Sequence, residues 1–131
     1  MVLILGGLGA GKREFARLLG YEDSEMSGDP FDAAPVAVRP EEMLRRRLEE
    51  VSDPSAPSAD LNALFAALSA KEAVISCEVG SGVVPLSAAE RTFREETGRL
   101  QVRLAKEADC VVRVIAGIPA VIKGEMPCTR S

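Results

Sequence analysis

The sequence predicts an α/β fold: a mostly parallel sheet with helices on both faces, arranged in three layers. Three observations predict it. Apolar runs at 2–5, 73–77 and 110–117 read as strands covered on both sides. Helical patterns fill the stretches between them, and that alternation implies parallel strands joined by right-handed crossovers. The first run also passes straight through glycines into a helix, the turn such a sheet uses where backbone must approach a ligand closely.

Each element has its own local reason. "VLIL" (2–5) is uninterrupted and apolar, as a central strand should be. "GKREFARLLG" (11–20) places Phe15, Leu18 and Leu19 on one helical face, with Gly20 as its stop. Residues 21–35 read as irregular, and "PVAV" as a short strand. "RPEEMLRRRLEEV" (39–51) is a helix whose Pro40 suits the first turn, and whose Glu41 and Glu42 favour its positive end. "SDPSAPSAD" (52–60) reads as a linker. "LNALFAALSA" (61–70) follows as a helix that turns Leu61, Leu64, Phe65 and Leu68 inward. After the strand "AVISC" (73–77), "SAAE" (87–90) is a capping box opening a long helix to about Ala108. Phe93, Leu100, Leu104 and Ala108 lie near one face of that helix. "CVVRVIAG" (110–117) and "AVIK" (120–123) close the sheet, and 125–131 reads as a loose tail. A length of 131 residues implies one domain over 1–131.

Composition excludes several functions. The apolar share of 47% and charged share of 27% describe a soluble globule. No apolar run is long enough to span a membrane, and "MVLIL" lacks the features of a secretory signal. A net charge of −4 argues against nucleic acid as a partner, and "LRRRLEE" (44–50) reads as a solvated helix face. Cys77, Cys110 and Cys128 have no paired spacing and imply a reducing cytoplasm. The chain contains 0 histidines. That removes histidine-based zinc sites, Ser-His-Asp triads and any phospho- or nucleotidyl-histidine.

"GGLGAGKRE" (6–14) carries the chemistry. Gly6-x4-Gly11-Lys12 is the spacing of a P-loop, in which successive amides converge on a β-phosphate at a helix start and the lysine adds a point charge. Gly6, Gly7, Leu8, Gly9, Ala10, Gly11, Lys12 and Arg13 are therefore the expected nucleotide-binding residues, and the fold is expected to be P-loop NTPase-like. Arg13 stands where a Ser or Thr hydroxyl ordinarily ligates Mg²⁺, and a guanidinium ligates no cation. It can pair with a phosphate oxygen or face solvent. The expectation is weak Mg²⁺ affinity, with the ion arriving on the nucleotide. Glu78, just after "AVISC", is the expected second acid. It can hold Mg²⁺ through water, activate a substrate hydroxyl, or simply cap the next turn. Asp109 precedes its strand and so lies at the wrong end for ligand work.

"EVGSGVVP" (78–85), with "RTFREETGRLQVRLAKEAD" and "VIAGIPAVIKG" behind it, resembles the adenosylcobinamide kinase / adenosylcobinamide-phosphate guanylyltransferase family. The resemblance covers 1–20 and about 73–124. It rests on Gly6, Gly7, Gly11 and Lys12, on Glu78, Gly80, Gly82, Val84 and Pro85, and on Arg91, Phe93, Arg94, Gly98, Arg99, Leu104, Ala105 and Asp109. The family phosphorylates a hydroxyl of adenosylcobinamide and then transfers GMP through a guanylylated histidine. The resemblance thus implies ATP or GTP and a corrinoid as partners, Lys12 and Glu78 as catalytic residues, and a cytoplasmic homo-oligomer. Gly80, Ser81 and Gly82 would approach the substrate. Arg13, Cys77, Gln101-Val102 and Pro119 depart from the family pattern, and 21–72 lacks both the histidine region and a separate strand ending in an acid. Guanylyl transfer through histidine is therefore expected to be lost. Two readings remain: a reduced kinase, or a non-catalytic relative that binds nucleotide, corrinoid or a partner chain.

Overall fold

A computed structural model describes residues 1–50, 59–78 and 87–130. The elements run β1 (Val2–Gly6), α1 (Lys12–Leu18), β2 (Met26–Ser27), β3 (Val36–Val38), α2 (Pro40–Glu50), α3 (Ala59–Ser69), β4 (Ala73–Cys77), α4 (Ala88–Glu107), β5 (Cys110–Ile115) and β6 (Ile118–Lys123). One six-stranded sheet has the order β2-β3-β4-β1-β5-β6. Every pair is parallel except the β5–β6 hairpin. The expected fold class is what the structure shows.

Alternation of side chains along β1, β4 and β5 supplies both faces of the sheet. Ile4, Ile75, Val112 and Val114 pack with Phe15, Ala16 and Leu19 of α1 and with Tyr21. On the other face Leu3, Val74 and Val111 pack with Leu44 of α2, Leu64 and Leu68 of α3, and Leu100 and Leu104 of α4. The helices after β1 and β4 thus lie on opposite faces, which opens a crevice at the carboxyl ends of these two neighbouring strands, where ligands of open α/β sheets bind.

Three details differ from the sequence reading. Leu18 is 74% exposed, because α1 ends there and the buried face continues through the cap residue Leu19. The short strand β2 was not legible in the irregular stretch 21–35. Within the stretch 125–131, read as a loose tail, Arg130 instead returns to α1: its amide donates to the Leu19 carbonyl at 2.7 Å, and its guanidinium meets Glu25 at 2.6 Å and lies over the Tyr21 ring.

The α4 face carries one internal mismatch. Thr97 is 1% exposed, and its hydroxyl has no hydrogen-bond partner among the described residues. A buried unpaired hydroxyl costs about 1–3 kcal/mol. Thr97→Val keeps the shape without the penalty and is expected to raise stability by about 1 kcal/mol, read as a higher urea midpoint at unchanged slope.

Candidate functional site

The glycine loop joins β1 to α1 at the carboxyl edge of the sheet. Gly6 is enclosed: a Cβ there would lie 2.7 Å from the Val114 carbonyl oxygen of β5. Gly11 has φ 98 and would bring a Cβ to 3.1 Å from Gly117 Cα. Both positions require a residue without a side chain. The Ala10 amide closes a turn onto the Gly7 carbonyl at 3.2 Å, and the Gly117 amide of the β5–β6 turn donates to the Ala10 carbonyl at 2.8 Å. The amides of Gly7, Leu8, Gly9 and Gly11 donate to no acceptor among the described residues. Gly7, Leu8 and Gly9 form an exposed crest.

Lys12 is the buried cation beneath that crest. Its Nζ donates to the carbonyls of Gly6 at 3.0 Å and Gly7 at 2.6 Å, and to Cys77 Sγ at 3.3 Å. Such a charge stays buried only when its donors are satisfied, and here neutral carbonyls and a thiol do so. An incoming anion would offer it a stronger partner. With only 7 residues, α1 has little dipole of its own, so the local charge comes from Lys12 and the loop amides.

The end of β4 is fastened from both flanking helices on that face. Glu41 of α2, 6% exposed, accepts from Ser76 Oγ at 3.0 Å and from the Cys77 amide at 3.2 Å. Gln101 of α4 donates Nε2 to Ser76 Oγ at 2.9 Å and to the Cys77 carbonyl at 2.6 Å. The partner strand β3 stops at Val38, level with Ile75. The Cys77 amide therefore lies past its ladder, and the Glu41 side chain takes the place of a strand carbonyl. No local pattern assigns Glu41, Gln101 or Cys77 these positioning contacts.

Glu78 follows β4, its amide donating to the Gly6 carbonyl at 3.0 Å. Its carboxylate is engaged by Arg113 of β5 through a fork: Nε to Oε1 at 2.6 Å and Nη2 to Oε2 at 3.0 Å. The pair spans β1 beside the loop. Glu78 raises the Arg113 pKa above its ordinary value, through the hydrogen bonds first and charge second. Arg113 was the missed residue here, and its signal was a lone charge inside the apolar run 110–115. Gly80, Ser81 and Gly82, the expected substrate contacts, lie outside the described residues.

Arg13 has no lone pair to give an Mg²⁺. Each Glu78 oxygen accepts one hydrogen bond from Arg113 and keeps a lone pair free for a water or a hydroxyl. No group of three His, Cys, Asp or Glu side chains suited to a metal occurs among the described residues.

Arg39, between β3 and α2, has φ 51 although it is not glycine. That conformation costs about 1–3 kcal/mol.

A family model described as cobinamide kinase / cobinamide phosphate guanyltransferase matches residues 33–122. The bifunctional adenosylcobalamin biosynthesis protein CobU of Salmonella typhimurium is 44% identical over 54 residues, covering 41% of this chain and 30% of that protein. CobP of Pseudomonas aeruginosa, of the same description, is 38% identical over 52 residues, 40% of this chain and 30% of its own. CobU of Escherichia coli is 39% identical over 69 residues, 50% of this chain and 38% of its own. The chain spans about a third of the length of these relatives. The family model's match begins after the glycine loop, so the loop stands outside it on its own spacing and geometry. Among the described residues no helix is long and apolar enough to cross a membrane.

Proposed function

The chain belongs to the cobinamide kinase / cobinamide phosphate guanyltransferase family, and on that premise we propose that it binds ATP or GTP in the Gly6–Arg13 loop and transfers the γ-phosphoryl group to a hydroxyl of adenosylcobinamide. One observation carries this reading: a buried lysine ammonium held on the loop's own carbonyls, beside amides without acceptors among the described residues. A phosphate drawing Lys12 away from those neutral carbonyls gains a charge-assisted bond. Phosphoryl transfer asks little else of a protein beyond positioning and charge neutralisation. The acceptor oxygen forms a bond to phosphorus, the bond to the β-phosphate bridge breaks, and the hydroxyl proton is lost.

Glu78, anchored by Arg113, orients that hydroxyl at the crevice edge and takes its proton. Gly80, Ser81 and Gly82 contact the corrinoid side of the substrate. Magnesium enters this reading only on the nucleotide's own oxygens and water, and no step here depends on a protein ligand for it. With 0 histidines in the chain, GMP transfer through a histidyl intermediate is lost. Association into a homo-oligomer belongs to this reading through the family.

The test is transfer of labelled γ-phosphate from ATP or GTP to adenosylcobinamide. Turnover is expected, and Glu78→Gln is expected to lower its rate about 100-fold with nucleotide affinity within twofold. A second reading, the non-catalytic relative, draws on Arg13 at the hydroxyl position and on the commitment of Glu78 to Arg113. Tight, metal-indifferent nucleotide binding without any transfer would establish it in place of the first.

A further inference from the structure

We propose that Arg39 is the second cation of the phosphate site, its guanidinium meeting terminal phosphoryl oxygens of the ligand that Lys12 holds. This rests on the nucleotide-site reading above. Arg39 sits at φ 51, immediately before Pro40. A proline disfavours helical backbone in the residue before it, and a positive φ favours glycine or asparagine over a bulky side chain. Local structure alone therefore gives no reason for arginine here.

The conformation is nonetheless fixed. The Arg39 amide donates to the Ile75 carbonyl at 3.0 Å, and its carbonyl accepts from the Glu42 amide at 3.0 Å. The side chain is exposed and makes no hydrogen bond or ion pair among the described residues. By contrast Arg17, Arg45, Arg99, Arg113 and Arg130 are all engaged with carboxylates. A strained, clamped backbone thus presents an arginine whose charge no described residue pairs.

Its place supplies the use. The bond to Ile75 sets Arg39 beside Ser76, one strand away from Cys77, whose sulfur receives the Lys12 ammonium at 3.3 Å. The loop after β1 lies two strands from β3, about 10 Å at about 4.8 Å per strand, a gap that an extended arginine side chain and a bound phosphoryl group span together. The guanidinium fork suits two oxygens of one phosphoryl group. That group is either the nucleotide's terminal phosphate or the phosphate of the phosphorylated acceptor.

The experiment titrates the full chain with three probes: the β,γ-imido analogues of ATP and GTP, the diphosphates ADP and GDP, and adenosylcobinamide phosphate. Arg39→Ala is expected to weaken the triphosphate analogue about tenfold and the diphosphate less than twofold, with Arg39→Lys recovering only part. Arg39→Gly relieves the positive φ, so it should lose the same affinity while melting higher than the parent. A merely structural role would not produce that opposition. A tenfold loss confined to adenosylcobinamide phosphate would place the guanidinium on the acceptor's phosphate instead. Affinities unchanged for all three probes in Arg39→Ala and Arg39→Gly overturn the proposal. Failure of the loop reading is distinct: the parent chain then binds neither nucleotide, and adenosylcobinamide phosphate alone decides Arg39.

Discussion

Lys12→Ala is expected to reduce nucleotide affinity by at least about 100-fold while leaving a folded protein. Hydrogen bonds to a charged group contribute about 1.5–3 kcal/mol each, and two such bonds from the ammonium to phosphate oxygens correspond to 100-fold or more. The lysine is already enclosed beneath the crest, with Nζ on Gly6, Gly7 and Cys77, so little ordering is left to complete on binding. Alanine leaves the Gly6 and Gly7 carbonyls without this donor, and the expected fall in stability is about 1–2 kcal/mol. Calorimetric titration and a melting curve read the two effects separately. Affinity within threefold of the parent would show that the loop does not hold the phosphates, and the proposed reaction would lose its basis.

The second large effect falls on the frame rather than the charge. Gly6 ends β1 between β4 and β5, and any Cβ there would meet the Val114 carbonyl oxygen at 2.7 Å. That oxygen belongs to the backbone of a central strand and can yield only if the two strands part. Gly6→Ala is therefore expected to cost about 1–3 kcal/mol, a melting point lower by several degrees for a domain of this size. The displaced Gly6 and Gly7 carbonyls would carry Lys12 out of register, with nucleotide affinity falling about tenfold beyond the stability change. A variant that melts within a degree of the parent and binds equally well would show that the strand contact relaxes freely.

Legibility of the chain followed the range of the forces involved. β1 and β4 are apolar because both of their faces are covered, and β5 because all of it but Arg113 and Ile115 is buried, so composition alone reveals them. The loop was legible too, since its glycines answer to steric needs within a few residues. β2 was not: it has two residues, pairs only with β3, and carries no apolar run. Leu18 misled because its spacing from Phe15 suggested a shared face, whereas the buried face runs through Phe15, Ala16 and Leu19 and leaves Leu18 outside it.

The site shows the same division. Glu78 was singled out because it ends a strand, whereas its partner Arg113 is 35 residues away and meets it only through strand order. Glu41 looked like a residue placed for the helix dipole. Its actual role, accepting the amide that outruns β3, depends on a mismatch in strand length that no local pattern encodes. Of the linker read at 52–60, residues 59–60 open α3 and the rest lies outside the described residues, as does the second glycine motif beyond Glu78.

The bond from the Gly117 amide to the Ala10 carbonyl makes the β5–β6 hairpin and the glycine loop one thermodynamic unit. Whatever grips the outer edge of that hairpin also biases the loop, and by reciprocity the loop's occupant biases the grip by an equal free energy. A neighbouring subunit at that edge would then act as a regulator of affinity without touching the ligand.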